Sequence, residues 1–406
     1  MKILLITPRY YPEQFSITNI AEELAKRGNQ VTVLTGMPLY GFPQSGKRIN
    51  SPKTEERNGV HVCRYKERRR KKGALSLAMN YLSIYHGIIH FLRHNREKFD
   101  VVFSHVLSPI LVATAADKYC KRNKVPHMHY GLDLWPESLI AAGATQRGTV
   151  FYRAILRLSR QTYSGMDTIA FSSPSAQSYF KDILGINKAV KTIYQPCLEN
   201  DVQLNQWASN DYNFHLLYCG SVTHFLNIGL LPQGVSLLGE AQRQRLCIDI
   251  VGNGSSLDKL KNDVLKFKVG EQFIFHNRVP SKDTIPFYEK SDAVFIPLSN
   301  TSRTALLIPQ KLLETMRLGK PILGMIHGDG KALIEKSGGG LISEETADDL
   351  AKSISSFLEM PKNELTKMGK LNKDFFYSNA CFSLPYIVAA LEGEMKAAIE
   401  LHSKGK

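Results

Sequence analysis

"CIDIVGNGSSLDKL", residues 247–260, is the stretch that decides the fold. Its apolar start reads as a strand ending at Val251. Gly252 and Gly254 then turn the chain, and Ser255 and Ser256 open a helix. A strand that turns directly into a helix is the repeating unit of a parallel sheet covered on both faces. Bare N–H groups at such a turn suit an anion such as a diphosphate. The glycine spacing matches neither a dinucleotide fingerprint nor a P-loop lysine motif, so a plain tight turn is an equal reading.

The same unit recurs on either side. Downstream and upstream in the second half lie "FHLLYCG" (214–220), "QFIFHN" (272–277), "AVFIPLS" (293–299), "PILGMI" (321–326) and "GGLIS" (339–343). In the first half "KILLIT" (2–7), "QVTVLT" (30–35), "VHVCRY" (60–65), "DVVFSH" (100–105), "PHMHYG" (126–131), "TIAFSS" (168–173) and "KTIYQP" (191–196) read as strands. Amphipathic segments such as "ITNIAEELAKRG" (17–28) alternate with them. The polar run 197–213 interrupts the pattern and reads as a linker. The expectation is two doubly wound α/β domains, 1–196 and 214–378, followed by a closing helix pair towards the C-terminus. A chain of 406 residues is too long for one core. Ligands of open parallel sheets bind beyond the carboxyl ends of the strands, so two such domains are expected to face one another across a cleft.

Composition narrows the class. Hydrophobic residues make up 43% and charged residues 22%, ordinary values for a folded soluble protein. No apolar run approaches the ~20 residues that cross a bilayer, and the N-terminal apolar run is too short for a signal peptide. The six cysteines form no C-x-x-C pair, which fits reduced thiols in the cytoplasm. Residues 1–200 hold 29 Lys and Arg against 14 Asp and Glu, so the whole net charge of +15 lies in the first half. Its densest run, Arg68, Arg69, Arg70, Lys71 and Lys72, lies in the stretch 65–94 and leads into an apolar-aromatic segment. Tyr81, Ile84, Tyr85, Ile88 and Ile89 of that segment suit shallow membrane insertion, or it is alternatively an ordinary core helix from Leu75 to Leu92. That order suits an anionic membrane face or anionic substrates. No nucleic-acid reading module accompanies it.

Three further loops carry candidate chemistry. In "TALLIPQKLLETMRLGKPIL" (304–323), Pro309 suits the first turn of a helix. Lys311 and Glu314 share a face near its positive end, where a lysine meets phosphate and a carboxylate accepts from ribose hydroxyls. A surface Lys–Glu pair is the plainer reading of two such residues. In "MHYGLDLWPESL" (128–139), His129, Asp133, Trp135 and Glu137 lie at and after the end of a strand, with His127 just before, and either histidine is alternatively a plain in-strand residue. In "TPRYYPEQFSITN" (7–19), Arg9 and Ser16 are candidate phosphate or acceptor contacts, and Ser16 or Thr18 alternatively caps the helix. No second histidine–carboxylate cluster is visible, and no metal is expected.

Taken in order, "YYPEQFS", "NIAEELAKRGNQVTVLTGMPLY", "DLWPES", "LLYCGSV", "IVGNGSSLDKLK" and "IPQKLLETMRLGKPIL" resemble the retaining glycosyltransferases of family 4, which have the GT-B fold. The resemblance spans essentially the whole chain. It is strongest to the bacterial branch related to the L-fucosamine transferases of O-antigen and capsule assembly. It implies a GT-B architecture with two Rossmann-like domains and a C-terminal segment, 379–406, crossing back to the first. It also implies transfer of a sugar from a nucleoside diphosphate, UDP by expectation, to a polyprenyl-diphosphate-linked saccharide at the inner face of the cytoplasmic membrane, with no cofactor or metal.

By the same resemblance Glu314 is the second glutamate of the family's pair and holds the donor ribose. Leu306 stands where the first would be. Phe15 and Ser16 replace a glycine pair, and Val222 and Asn227 take the places of the diphosphate-binding Arg and Lys. Lys311, Arg303 or Arg278 then supply that charge, while Gly220, Gly252 and Gly254 line the donor loop. Asp133, with His129 second, is the acceptor-side catalytic choice, and the leaving phosphate itself takes the acceptor proton. Two other readings fit a chain of this fold: a nucleotide-sugar 2-epimerase, which needs no lipid acceptor, and a non-catalytic nucleotide-sugar-binding module, which the absence of Glu at 306 would favour.

Overall fold

The structure is a computed structural model. It describes every residue except 14, 39–52, 69–72, 198–203, 205–212, 224–225, 301–302 and 405–406. The chain forms two compact units, residues 1–196 with 383–406, and residues 197–382.

The first unit is an eight-stranded sheet. Its strands are β1 (Lys2–Ile6), β2 (Gln30–Gly36), β3 (Thr54–Arg57), β4 (Val60–Tyr65), β5 (Val101–Val106), β6 (His127–Gly131), β7 (Thr168–Phe171) and β8 (Val190–Thr192). They run in the order β3-β4-β2-β1-β5-β6-β7-β8, parallel except for β3 against β4. Ile3, Leu5, Val31, Val33, Val101 and Phe103 form the central core, buried because helices cover both faces. The sequence reading missed β3, whose "TEER" has no apolar residue. Its signal was the following Asn58-Gly59, both at positive φ, the preferred chemistry of a two-residue hairpin turn. Strand β8 is also shorter than the expected 191–196, ending at Thr192.

The last helix, Leu384–Lys404, belongs to this first unit. Ile387, Val388, Leu391, Met395 and Ala398 enter its core cluster. Asn29 Nδ2 donates to Glu392 Oε1 at 3.0 Å, and Thr168 Oγ1 donates to the Glu394 carbonyl at 3.0 Å. The helix before it, Lys362–Ser378, lies in the second unit.

The second unit is a six-stranded parallel sheet of β9 (Phe214–Cys219), β10 (Leu246–Val251), β11 (Phe273–His276), β12 (Ala293–Pro297), β13 (Ile322–Met325) and β14 (Gly340–Ile342). Their order is β11-β10-β9-β12-β13-β14. The reversal of order between β9 and its neighbours β10 and β12 is the switch point at which such sheets bind ligands. The loops after β9 and β10 and the helix Gln310–Arg317 are therefore the places to seek a nucleotide site.

Among the described residues no helix is long and apolar enough to cross a membrane. Helix Ala74–His94 buries Ile84 and Ile88 against the first unit, so these two are core and not available for insertion. Tyr81 is also engaged, its ring edge-on to Trp135 and its hydroxyl 3.3 Å from Ser108 Oγ. The exposed apolar residues are Leu75, Met79 and Leu82, spaced to share one face of the first turns. Arg68 is exposed alongside the second and third turns of this helix, its N–H on Ser83 Oγ at 2.8 Å. Arg69, Arg70, Lys71 and Lys72 lie outside the described residues.

Candidate functional site

In the second unit the loops after β9 and β10 lie backbone to backbone. Gly220 and Gly252 both adopt positive φ (149° and 147°), and Gly220 N–H donates to the Val251 carbonyl at 2.9 Å. A Cβ on Gly252 would stand 1.9 Å from the Gly220 oxygen, and one on Gly254 would stand 2.1 Å from the Val222 oxygen. These two glycines are thus required by loop-to-loop contact, before any ligand is considered.

Helix Gln310–Arg317 begins beside this pair of loops. Pro309 is its N-cap in extended conformation (φ −71°, ψ 137°), one residue earlier than expected. The Lys311 side chain turns back towards Gly220, its Nζ lying 4.6 Å from the Tyr218 ring centroid and donating to the Tyr218 hydroxyl at 3.4 Å. Burial pushes its ammonium down to about 8. Among the described residues no carboxylate pairs with it. A desolvated cation on an aromatic face, beside two strand-to-helix turns, is a charge that an incoming anion would satisfy.

Glu314 is not Lys311's partner. Arg317 holds it in a two-pronged grip, Nη2 to Oε1 at 2.5 Å and Nε to Oε2 at 3.3 Å. The plainer reading of Lys311 and Glu314 as one surface pair is therefore replaced by two separate arrangements on one helix. Arg317 was missed, although its i,i+3 spacing from Glu314 was a visible signal. The other proposed cations differ. Arg278 is exposed and Arg303 half-buried, neither with an ion-pair partner among the described residues. Val222 is fully buried, and Asn227 uses its amide on Glu345 Oε1 at 2.9 Å.

The loop after β6 in the first unit is mostly structural. Glu137, wholly buried, accepts from Arg147 at 2.9 Å and from the Tyr152 hydroxyl at 2.8 Å. Trp135 is packed inside. His127 and His129 are both fully buried on Ser104 Oγ, at 2.8 and 2.9 Å. Burial holds His129 well below the ordinary histidine range. His129 is therefore a neutral core residue against Tyr163 and Phe171, which corrects its placement as an acceptor-side group. Asp133 alone keeps accessible surface without a hydrogen-bond or ion-pair partner among the described residues, and its surroundings push its carboxyl up to about 7.

Arg9 is likewise corrected. Its guanidinium is paired with Glu67, Nη2 to Oε2 at 3.3 Å, with Glu13 4.0 Å from Nε, so carboxylates already neutralise it. Phe15 packs on the core as the N-cap of helix Ser16–Lys26, and buried Ser16 makes no capping bond. Against the sequence reading, one possible ligand set for a metal does form among the described residues: His215, Cys247 and Asp249.

Comparisons with known proteins agree with this architecture. No curated protein sequence matches the chain. A family model described as "Glycosyl transferase 4-like domain" matches residues 14–195, and one described as "Glycosyl transferases group 1" matches 200–375. Among solved structures, sucrose-phosphate synthase from Thermosynechococcus elongatus superposes with a TM-score of 0.72 at 14% identity, covering 97% of each chain. WaaG, a glycosyltransferase involved in lipopolysaccharide biosynthesis, gives 0.71 at 14% identity over 96% of this chain and 98% of its own. Anabaena HepE in complex with UDP gives 0.69 at 14%, over 98% of this chain and all of its own. With two matched domains in tandem on two Rossmann-like sheets, the chain belongs to the glycosyltransferases of GT-B fold.

Proposed function

We propose that the protein moves a sugar from UDP to a lipid-linked saccharide in bacterial surface polysaccharide assembly, with retention at the anomeric carbon. The observation that carries the donor half is Lys311, half-buried, unmatched by a carboxylate among the described residues and turned towards the glycine loops. The HepE structure, which holds UDP, supports that choice of nucleotide. In this reading the diphosphate meets the Lys311 ammonium and the N-terminus of helix Gln310–Arg317. The charge that grows on the leaving group is then met by a cation already in place. Glu314, its two oxygens oriented by Arg317, accepts from the ribose hydroxyls. Asp133 in the first unit steadies the acceptor or the developing positive sugar, and the departing phosphate oxygen takes the acceptor hydroxyl's proton.

Glu314→Ala tests the donor grip. Loss of charge-assisted hydrogen bonds worth about 1.5–3 kcal/mol is expected to raise the Kd for UDP roughly 10- to 100-fold. Unchanged affinity by calorimetry would remove Glu314 from the site.

The lopsided charge fits an acceptor held at an anionic membrane face, where each nearby basic residue contributes about 1 kcal/mol. The exposed Leu75, Met79 and Leu82 beside Arg68 are the residues placed to enter the headgroup region. Replacing Arg68 to Lys72 by Ser, or Leu75, Met79 and Leu82 by Ser, should each reduce co-sedimentation with anionic vesicles several-fold. Equal sedimentation of both variants with wild type assigns the basic run another role.

A further inference from the structure

The second unit holds a cluster that the proposed transfer leaves unused. His215 on β9 and Cys247 and Asp249 on β10 place potential ligand atoms within 4.8 Å of one another. Strand register sets His215 opposite Cys247, with Asp249 two residues further along, so all three side chains leave one face of the sheet. On β11, His276 Nε2 lies 2.7 Å from Asp249 Oδ1. The other carboxylate oxygen, Oδ2, is 3.7 Å from His215 Nδ1.

That second distance is an ion-pair spacing, longer than a normal hydrogen bond between those two atoms. It matches two donors around a tetrahedral ion, about 3.3–3.8 Å apart for metal–ligand bonds of about 2.0–2.3 Å. His215 and Asp249 are buried, whereas Cys247 and His276 are partly exposed, which leaves a path from solvent. The cluster is distinct from the donor loops: His215 lies four residues, about 13 Å, along β9 from Cys219.

We propose that His215 Nδ1, Cys247 Sγ and Asp249 Oδ2 bind one zinc-class divalent ion, with water completing the tetrahedron and His276 orienting the Asp249 carboxylate. An imidazole, a thiolate and a carboxylate form a borderline-soft set that selects zinc or cobalt over magnesium and calcium, which demand oxygen ligands. The thiol proton leaves to solvent as the sulfur–metal bond forms. The bound ion ties β9 to β10 and, through His276, to β11 at the sheet edge.

The test is titration of chelator-treated full-length protein with Co²⁺ and with Zn²⁺. One equivalent of Co²⁺ should produce tetrahedral d–d absorption and a sulfur-to-cobalt charge-transfer band, and excess Zn²⁺ should raise the Tm by about 5 °C. Cys247→Ser should abolish the charge-transfer band. His276→Ala, at a partly exposed site, should weaken Co²⁺ affinity roughly 10- to 100-fold while leaving the band's position unchanged. Absence of both the spectrum and the Tm shift in wild type overturns the proposal. So does an unaltered charge-transfer band in Cys247→Ser, which would put the ion on other ligands.

Discussion

Asp133→Asn is expected to lower kcat by about 10²- to 10³-fold, the scale for removing one preorganised charge from a reacting centre, and to leave the Kd for UDP within about twofold. The variant is nearly isosteric; it removes the ionisable group and turns one acceptor oxygen into an N–H donor. Burial pushes the wild-type carboxyl up to about 7, above its ordinary range, so it is neutral below that pH and charged above it. In wild type, kcat/KM should therefore rise with pH through about 7, and this acidic limb should disappear in the Asn variant. Stability runs the other way. A carboxyl with a raised folded pKa binds more protons folded than unfolded between about 4 and 7, so its ionisation costs stability as pH rises through that window. Asp133→Asn should consequently melt at or above wild type at pH 8. Full turnover in a well-folded variant would sink the assignment; a low Tm would mark a packing role instead.

Lys311→Met is the second large effect. It keeps an apolar stem on the Tyr218 ring and deletes the charge. UDP affinity is expected to fall by about 10²-fold, and kcat to fall further because charge grows on the leaving diphosphate. Burial depresses the Lys311 ammonium to about 8, so in the free protein it is charged below that pH and neutral above. Wild-type UDP affinity should weaken from pH 7 to 9, whereas the Met variant should be flat over that range apart from the nucleotide's own titration. Because the folded pKa lies below the unfolded value, folded protein loses its proton first, and stability gains as pH rises from about 8 towards 10. The Met variant should already show that gain at pH 7. Unaltered binding by calorimetry would break the link between this helix and the donor.

How much of this could be read beforehand depended on the kind of signal. Strand-to-helix turns such as Val251 to Ser256 announce themselves locally, so both sheets were legible. Lys311 and Glu314 were legible as residues but not as partners, because side-chain direction decides that Lys311 reaches Tyr218 while Glu314 reaches Arg317. The run from His127 to Glu137 misled for a related reason. Central parallel strands are buried on both faces, so polar residues there carry no alternation to show which way they point. His127, His129 and Glu137 went to internal hydrogen bonds, and Asp133 alone retained surface. The trio His215, Cys247 and Asp249 was invisible because only the β9–β10 register brings it together.

The position of the Leu384–Lys404 helix sets a timetable for biosynthesis. Five of its apolar side chains complete the first unit's core, yet they are translated after the entire second unit. Between Pro196 and Leu384 the ribosome adds 188 residues, a wait of roughly 10–40 s at about 5–20 residues per second. During that interval the nascent N-terminal half presents an open apolar seam, and chaperones that recognise such seams have their opportunity there.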